Sequence, residues 1–316
     1  MSFTGRMKNE LSRIDVKPSS ARAELSAIVR IVGSLSIYDK RPVLDLHTEN
    51  ASIARRIFSL FKLLYAVQPE VMVRKKARLK KNNVYIIRVL DKTESILEHL
   101  CIMRVGLHRI EGISSELIGE EYCRRSYLRG AFLAGGSVNN PDSGSYHLEI
   151  ISTYHDHAEH LCELLQKYHL HAKLIERKKG YVVYLKEADK IGELLNLMGA
   201  HQSLLHFEDV RIMKDMRNSV NRLVNCETAN LNKTIQASMR QVENIRLIEA
   251  EMGLEELPER LREVAEARIR YPDVSLTELG QLLPGEVSKS AVNHRLRKIN
   301  ELAHRIRKMS GEDETS

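Results

Sequence analysis

The hydrophobic pattern switches period many times along the chain, and the switches recur in order. A run rich in small residues, Ala23-Glu-Leu-Ser-Ala-Ile-Val-Arg-Ile-Val-Gly33-Ser34, predicts a helix. A hairpin over 35–47 follows, turning at Asp39-Lys40. Ile53, Ile57, Leu60 and Leu64 then stand at helical spacing and predict a helix over 51–65. A second hairpin spans 71–90, turning at Lys80-Lys81-Asn82-Asn83, and a helix over 93–104 closes the unit. From Glu120 the order starts again: helix 121–135, a hairpin turning at 140–144 and continuing through 146–152, helix 157–168, a hairpin over 172–186 turning at Lys179-Gly180, and helix 188–197. Gly33-Ser34 matches Gly136-Ser137, and Thr48 matches Thr153, at nearly the same offset. An αββαββα order written twice constrains many positions together, so it outweighs any single motif.

Beyond about residue 219 the pattern changes. Asn and Gln rise, and Asn225-Cys-Glu-Thr-Ala-Asn-Leu-Asn-Lys-Thr234 leads into a predicted helix over 235–251, read as a connecting arm with Gly253 as its C-cap. Helix 258–270 is stopped by Tyr271-Pro272-Asp273. Ser275-Leu-Thr-Glu278 is a capping box that opens a short helix through Leu283, which Pro284-Gly285 breaks. Ser288 caps a third helix, 289–307. Val292, Leu296, Ile299, Ala303 and Ile306 form its apolar stripe, while Lys289, Ser290, Asn293, His294, Arg297 and Lys298 share the opposite face. The reading is α+β: an N-terminal extension (1–20), a duplicated αββαββα domain (21–217, repeats 21–117 and 118–217), a helical linker (218–256), an all-α helix-turn-helix domain (257–308) and a flexible tail (309–316).

Composition sharpens this picture only locally. In 316 residues, 49 Lys+Arg face 42 Asp+Glu, a formal charge of +7 that permits a polyanionic partner without requiring one. Residues 287–309, however, hold seven Lys/Arg against the single acid Glu301, an excess of six within one helix. A basic helix behind a capped turn suits the major groove: Arg297 has the fork for guanine and Asn293 the amide for adenine, with Ser288, Lys289, Ser290, His294 and Lys298 beside them for base edges or phosphate. The hairpin over 71–90 carries Arg74, Lys75, Lys76, Arg78, Lys80, Lys81 and Arg88 with no acid, and its counterpart carries Arg177 and Lys178 among five cations against Glu176. Two readings of these strands stand side by side: phosphate contact, or a protein-binding role with the cations merely solvated.

Other chemistry finds little support. Aromatic residues make up 5% and Trp is absent, which argues against a stacking platform for single strands. The four scattered cysteines show no C-x-x-C and fit reduced thiols in the cytosol. No apolar run spans a bilayer, so the expected location is cytoplasmic, with no membrane partner; nucleoid association is expected only through the DNA-binding reading of the basic helix. His155, His157, His160, His169 and His171 cluster near Cys162 and Asp156, but without H-E-x-x-H or paired Cys the expectation is a solvated helix face, with no metal and no cofactor. No phosphate-binding glycine loop or nucleophile elbow is present.

The stretch Tyr127-Leu-Arg-Gly-Ala-Phe-Leu-Ala-Gly-Gly-Ser137 resembles the signature helix of the LAGLIDADG homing endonucleases, and the resemblance covers about 21–215. It implies that the two signature helices pack on a pseudo-twofold axis, with Ala23, Ala27, Gly130, Ala131 and Ala134 allowing close approach, and that two sheets form a saddle for DNA. In that family the last Asp of the helix binds the catalytic metal; here that position falls at Val32 in the first repeat and at Gly135 in the second. The loss of both implies no catalytic residue and no enzyme. Together with Asn225-x-Glu-x-Ala-Asn-Leu-x-Lys-Thr234, Ser275-Leu-x-Glu-Leu-Gly-x-Leu and Ser288-Lys-Ser-x-Val-Asn-His-Arg-Leu, the whole chain resembles the WhiA family of sporulation and cell-division regulators, and its last domain also resembles the promoter-reading domain of primary sigma factors. The resemblance implies binding of double-stranded DNA, transcriptional regulation, and links to cell division, chromosome segregation and sporulation. Another transcription factor or RNA polymerase is the kind of protein partner it implies. A nucleoid-associated structural protein is the alternative, and a residual endonuclease a third reading.

Overall fold

A computed structural model describes residues 1–39, 41–75, 83–104, 106 and 108–309, which fall into two compact units, Met1–Lys214 and Asp215–Ser316. In the first unit α1 (Phe3–Leu11) and α2 (Pro18–Val32) precede strands β1 (Gly33–Tyr38) and β2 (Arg41–Thr48), then α3 (Ala51–Tyr65), β3 (Glu70–Lys75), β4 (Asn83–Val89) and α4 (Thr93–His99). A small pair, β5 (Met103–Arg104) and β6 (His108–Arg109), separates the halves. The second half runs α5 (Glu121–Gly135), β7 (Gly136–Val138), β8 (Leu148–Ser152), α6 (His155–Gln166), β9 (Lys173–Arg177), β10 (Gly180–Leu185) and α7 (Ala188–Met198). Both four-stranded sheets are antiparallel, in the equivalent orders β1-β2-β4-β3 and β7-β8-β10-β9. The duplication read in the sequence is thus a duplication of topology.

Strand alternation places one face of each sheet in a shared core. Leu44, Leu46, Ile87 and Val89 of the first sheet and Leu148, Ile150, Val183 and Leu185 of the second join the same apolar cluster as α2 and α5. These two helices cross closely. A Cβ on Gly130 would lie 2.3 Å from the Glu24 carbonyl oxygen, so a side chain there would force the backbones apart. At the crossing the Glu24 side chain is fully buried and ion-paired to two guanidinium groups. Arg56 of α3 donates to both its oxygens (2.7 and 3.0 Å), and Arg129 of α5 donates to the second at 2.9 Å. Arg129 also donates to Ser126 Oγ and the Met198 carbonyl.

Residues 1–20 are no extension. Phe3, Met7 and Leu11 recur at i, i+4, i+8 and are buried in the main core. Thr4 Oγ1 donates to the Val138 carbonyl and accepts from its amide, so α1 pairs with the edge strand β7. The Glu10 carboxylate accepts from the Gln202 and Ser203 amides (2.7 and 3.0 Å), capping the next helix. The helix expected over 93–104 stops at His99 because α2 takes its terminal carbonyls: Arg22 donates to His99 O, Ser26 to Leu100 O and Arg30 to Cys101 O. The first signature helix ends at Val32, with Gly33-Ser34 already in β1, and the turn of the last hairpin falls at Lys178-Lys179. Lys80, Lys81 and Asn82, placed in the turn of the second hairpin, lie outside the described residues, as do Lys40 and the tail beyond Met309.

A single helix, α8 (His201–Met252), leaves the first unit and continues in the second, where α9 (Glu259–Arg270), α10 (Leu276–Gln281) and α11 (Lys289–Met309) follow. The Asn-rich stretch read as an arm ahead of a helix is therefore helical throughout. No Gly or Pro lies between Gly199 and Gly253, so nothing in the covalent chain interrupts the backbone ladder. No helix among the described residues is long and apolar enough to cross a membrane. The second unit has its own core, formed by Ile245 and Ile248 of α8 with Val264, Leu279, Val292, Leu296 and Ile299.

Two outcomes test the first unit's interior. Glu24→Ala strands two buried guanidinium groups and is expected to cost about 3–5 kcal/mol in urea unfolding, while Glu24→Ala combined with Arg56→Met and Arg129→Met recovers most of it. His157 is fully buried, with Nε2 3.0 Å from Tyr127 Oη and Nδ1 2.8 Å from Ser152 Oγ. Burial, followed by the nearby Arg30 charge, lowers its pKa to about 3. The unfolded chain therefore binds a proton that the folded one refuses. The stability held above about pH 6.5 is lost as pH falls toward 3, by up to about 1.4 kcal/mol per pH unit for one proton. His157→Gln should remove that one-proton slope from denaturation midpoints measured between pH 7 and 5.

Candidate nucleic-acid interface

The turn expected from the sequence forms in the second unit. Ser275 and Glu278 close a capping box: Ser275 Oγ accepts from the Glu278 amide at 3.3 Å, and the Glu278 carboxylate from the Ser275 amide at 2.8 Å. These bonds hold the Glu278 carboxyl below its ordinary pKa. Leu279 and Leu283 bury α10 and the turn against Val292 and Leu296 of α11. Ser288 Oγ accepts from the Ala291 amide at 3.4 Å, starting α11 at Lys289. The apolar stripe then faces inward, with Ile306 only half-buried at its end.

All seven predicted contact residues, Ser288, Lys289, Ser290, Asn293, His294, Arg297 and Lys298, are exposed on α11 and at its N-terminus. The basic count of this helix overstates its face. Arg295 points elsewhere, half-buried, 3.8 Å from the Glu263 carboxylate and donating to the Arg260 carbonyl. Arg297 pairs with Glu301 one turn on at 3.4 Å, but both side chains are over half exposed, so the pair is worth little and yields readily to a stronger acceptor. What remains is a helix start with hydroxyl, amide and cationic groups directed at solvent, the combination that base edges and phosphates need.

The first unit's sheets differ from their sequence reading. Pairing puts Ser34, Asp45, Arg88 and Glu70 in one row across the face turned away from the core. Arg88, counted among the cations of an acid-free hairpin, donates twice to Asp45 at 2.8 Å, and this holds the Asp45 carboxyl below its usual range. The equivalent row of the second sheet is Ser137, Glu149, Tyr184 and Lys173. Glu149 accepts from Ser137 at 3.1 Å and lies 3.3 Å from His147 and 3.6 Å from Arg177. Sequence reasoning missed Asp45 and Glu149 because each sits on another strand and meets the hairpin's cations only across the sheet, and it missed Glu70 because β3 begins one residue before the predicted hairpin. Strand register carries that signal. Arg74 and Lys75 are exposed on the edge strand β3, and Lys178 in its turn. Lys76, Arg78 and Lys80 lie outside the described residues.

The signature helices end at the positions where the acids were expected to be missing. Val32 is half-buried. A Cβ on Gly135 would lie 2.6 Å from the Ile151 carbonyl oxygen and 3.0 Å from Ile31 Cγ2, so a side chain at this partly exposed position would press on backbone. Among the described residues no group of three His, Cys, Asp or Glu could hold a metal ion. The histidine stretch is only in part the solvated face expected: His155, His169 and His171 are exposed, but His157 is buried, and His160 Nδ1 accepts from the Ile113 amide at 2.8 Å. Asp156 pairs with Arg109 and accepts from the Gly112 amide, which hold it below its ordinary pKa against the effect of burial.

The chain matches three family models in succession: the WhiA N-terminal LAGLIDADG-like domain over 18–103, the WhiA LAGLIDADG-like domain over 124–217 and the WhiA C-terminal HTH domain over 220–303. It is 59% identical over 309 residues to the probable cell division protein WhiA of Anoxybacillus flavithermus, covering 97% of this chain and 96% of that one. It is 58% identical over 308 residues to that of Bacillus licheniformis, covering 97% and 98%. The full-length DUF199/WhiA structure from Thermatoga maritima is 28% identical, covers 96% of this chain and 99% of its own, and superimposes with a TM-score of 0.61. With a duplicated LAGLIDADG-like unit, a helix-turn-helix unit and this likeness over nearly the whole length, the chain belongs to the WhiA family.

Proposed function

We propose that the protein is a sequence-reading DNA-binding regulator of cell division that uses α11 as its recognition helix. The supporting observation is the solvent-directed set Ser290, Asn293, His294 and Arg297 over the first turns of α11, a helix that Ser288 caps and the apolar core below it seats. In this reading Arg297 leaves Glu301 for guanine O6 and N7, Asn293 pairs with an adenine edge, and Lys289 and Lys298 neutralise phosphates. The relatives' designation as probable cell division proteins supports the cellular setting. The regulator acts on transcription from the nucleoid, and chromosome segregation and sporulation are downstream of the genes it binds. Genome-wide occupancy compared with transcript changes after deletion tests this; bound sites with unchanged transcripts would make it a structural nucleoid protein instead.

The LAGLIDADG-like unit acts as a scaffold without nuclease activity. Val32 and Gly135 offer no carboxylate, and the packing around Gly135 leaves no room for one. In the outer rows of its sheets Asp45 takes Arg88 and Glu149 lies beside Arg177, while Arg74, Lys75 and Lys178 stay exposed, so these strands suit either phosphate contact or a protein partner.

Two outcomes follow. Arg297→Ala is expected to weaken binding to a selected duplex by about 1–3 kcal/mol and relax one base position, whereas Lys289→Ala and Lys298→Ala weaken all sequences alike and each lower the salt slope by about 1, read by fluorescence anisotropy over a salt series. Val32→Asp with Gly135→Asp is expected to leave plasmid DNA uncut in Mg²⁺ or Mn²⁺ and to lower the thermal midpoint, because the new Cβ at 135 meets backbone; cleavage by this variant would show that the scaffold still holds an active geometry.

A further inference from the structure

In the second unit, every residue of α8 from Asp215 to Ala237 is exposed. The helix first meets the helix-turn-helix core at Ser238, which donates to the Pro272 carbonyl, and buries Ile245 and Ile248 beyond it. At 1.5 Å per residue the exposed stretch is about 35 Å long. At helical spacing it divides into two unlike faces. Met216, Val220, Leu223, Val224 and Leu231 lie in line with Ser238 and Ile245, with Glu227 among them. The opposite face carries Asn218, Asn221, Arg222, Asn225, Asn232 and Lys233, continuing to Gln236 and Arg240. Glu227 is the only acid between 218 and 240, and it lies on the apolar side. Ala229 sits in the middle of the amide face, where a small side chain lets a partner approach the backbone.

This composition works against the helix it occupies. A helix with no tertiary contacts depends on good helix formers, and Asn is among the poorer ones. Among the described residues no hydrogen bond engages the Asn218, Asn221, Asn225 or Asn232 amides, so local bonding does not account for them. Aligned amides offer the paired donor and acceptor that an adenine edge needs, Arg222 has the fork for guanine, and Lys233 and Arg240 suit phosphate. An acidic peptide would call for cations rather than amides. A long exposed helix presenting such a face is the geometry by which continuous basic helices enter a major groove.

We propose that the Asn218–Arg240 face of α8 is a second DNA-reading surface that enters a major groove and reads A·T-rich base edges independently of α11. The proposal rests on the reading that the chain binds duplex DNA and adds a recognition element outside the helix-turn-helix. The test uses the full chain and a randomised 40-bp duplex pool, selected in parallel with the natural sequence, with Asn221→Ala/Asn225→Ala/Asn232→Ala and with Asn293→Ala/Arg297→Ala. Alanine is the better helix former, so the triple variant keeps or gains helicity by circular dichroism and misfolding does not mimic the effect. The expected result is at least a 30-fold loss of affinity for the naturally selected duplex, with relaxed base positions distinct from those relaxed by Asn293→Ala/Arg297→Ala. If the triple variant keeps natural affinity and selected sequence while the α11 variant loses both, this inference fails alone. A uniform loss with no base position relaxed also overturns it. If the α11 variant binds naturally while the triple variant is impaired, the α11 reading fails and this one stands.

Discussion

The backbone contact between Glu24 of α2 and Gly130 of α5 is the constraint on which the first unit depends. Both sheets pack on these two helices, so the crossing sets where each sheet lies. A wholly buried carboxylate bridging two guanidinium groups is a costly way to fill such a site, since well-packed apolar residues are often as stable or more so. Its effect is on register. Only one axial stagger brings Glu24 of the first repeat to Arg129 of the second while Arg56 closes from α3. Apolar side chains at the crossing would tolerate a slip of a turn more readily than these fixed forks do.

The two repeats share topology but not their polar interiors. Counting back from Gly33 and Gly136, Tyr127 stands where Glu24 stands. It is equally buried, but its hydroxyl meets His157, which meets Ser152, a neutral chain in place of an ion cluster. Arg30 has Leu133 as its counterpart and is used to end α4 by holding the Ile110 and Cys101 carbonyls. Each half thus has private contacts that the other cannot satisfy, and these prevent one repeat from substituting for the other within a symmetric scaffold. At the ends of the same helices, Val32 is half-buried and a Cβ on Gly135 would meet the Ile151 carbonyl, so both positions serve packing.

Charge follows the same logic. In the first unit Arg88 meets Asp45 and Arg177 lies beside Glu149 across the sheets, while Arg74, Lys75 and Lys178 stay exposed. On α11 the cations that survive beside exposed hydroxyl and amide groups lie at the N-terminal end, while Arg295 turns to Glu263. On α8 the informative groups are mostly uncharged amides, which a charge count cannot see.

The sequence by itself determined the duplicated element order, the bounds of most helices and hairpins, the capping box at Ser275, the inward stripe of α11 and the exposed position of the seven residues proposed to contact DNA. These features are local: hydrophobic period, caps and turns act over a few residues, and the repeat doubles the signal. Tertiary structure alone decided that residues 1–20 belong to the core, that α4 stops at His99, that His157 is buried and neutral, and that Arg88 is matched by Asp45. Each of these depends on a partner some five to over a hundred residues away, brought close by the crossing of α2 and α5 and by strand register. No window of sequence contains both members of most such pairs.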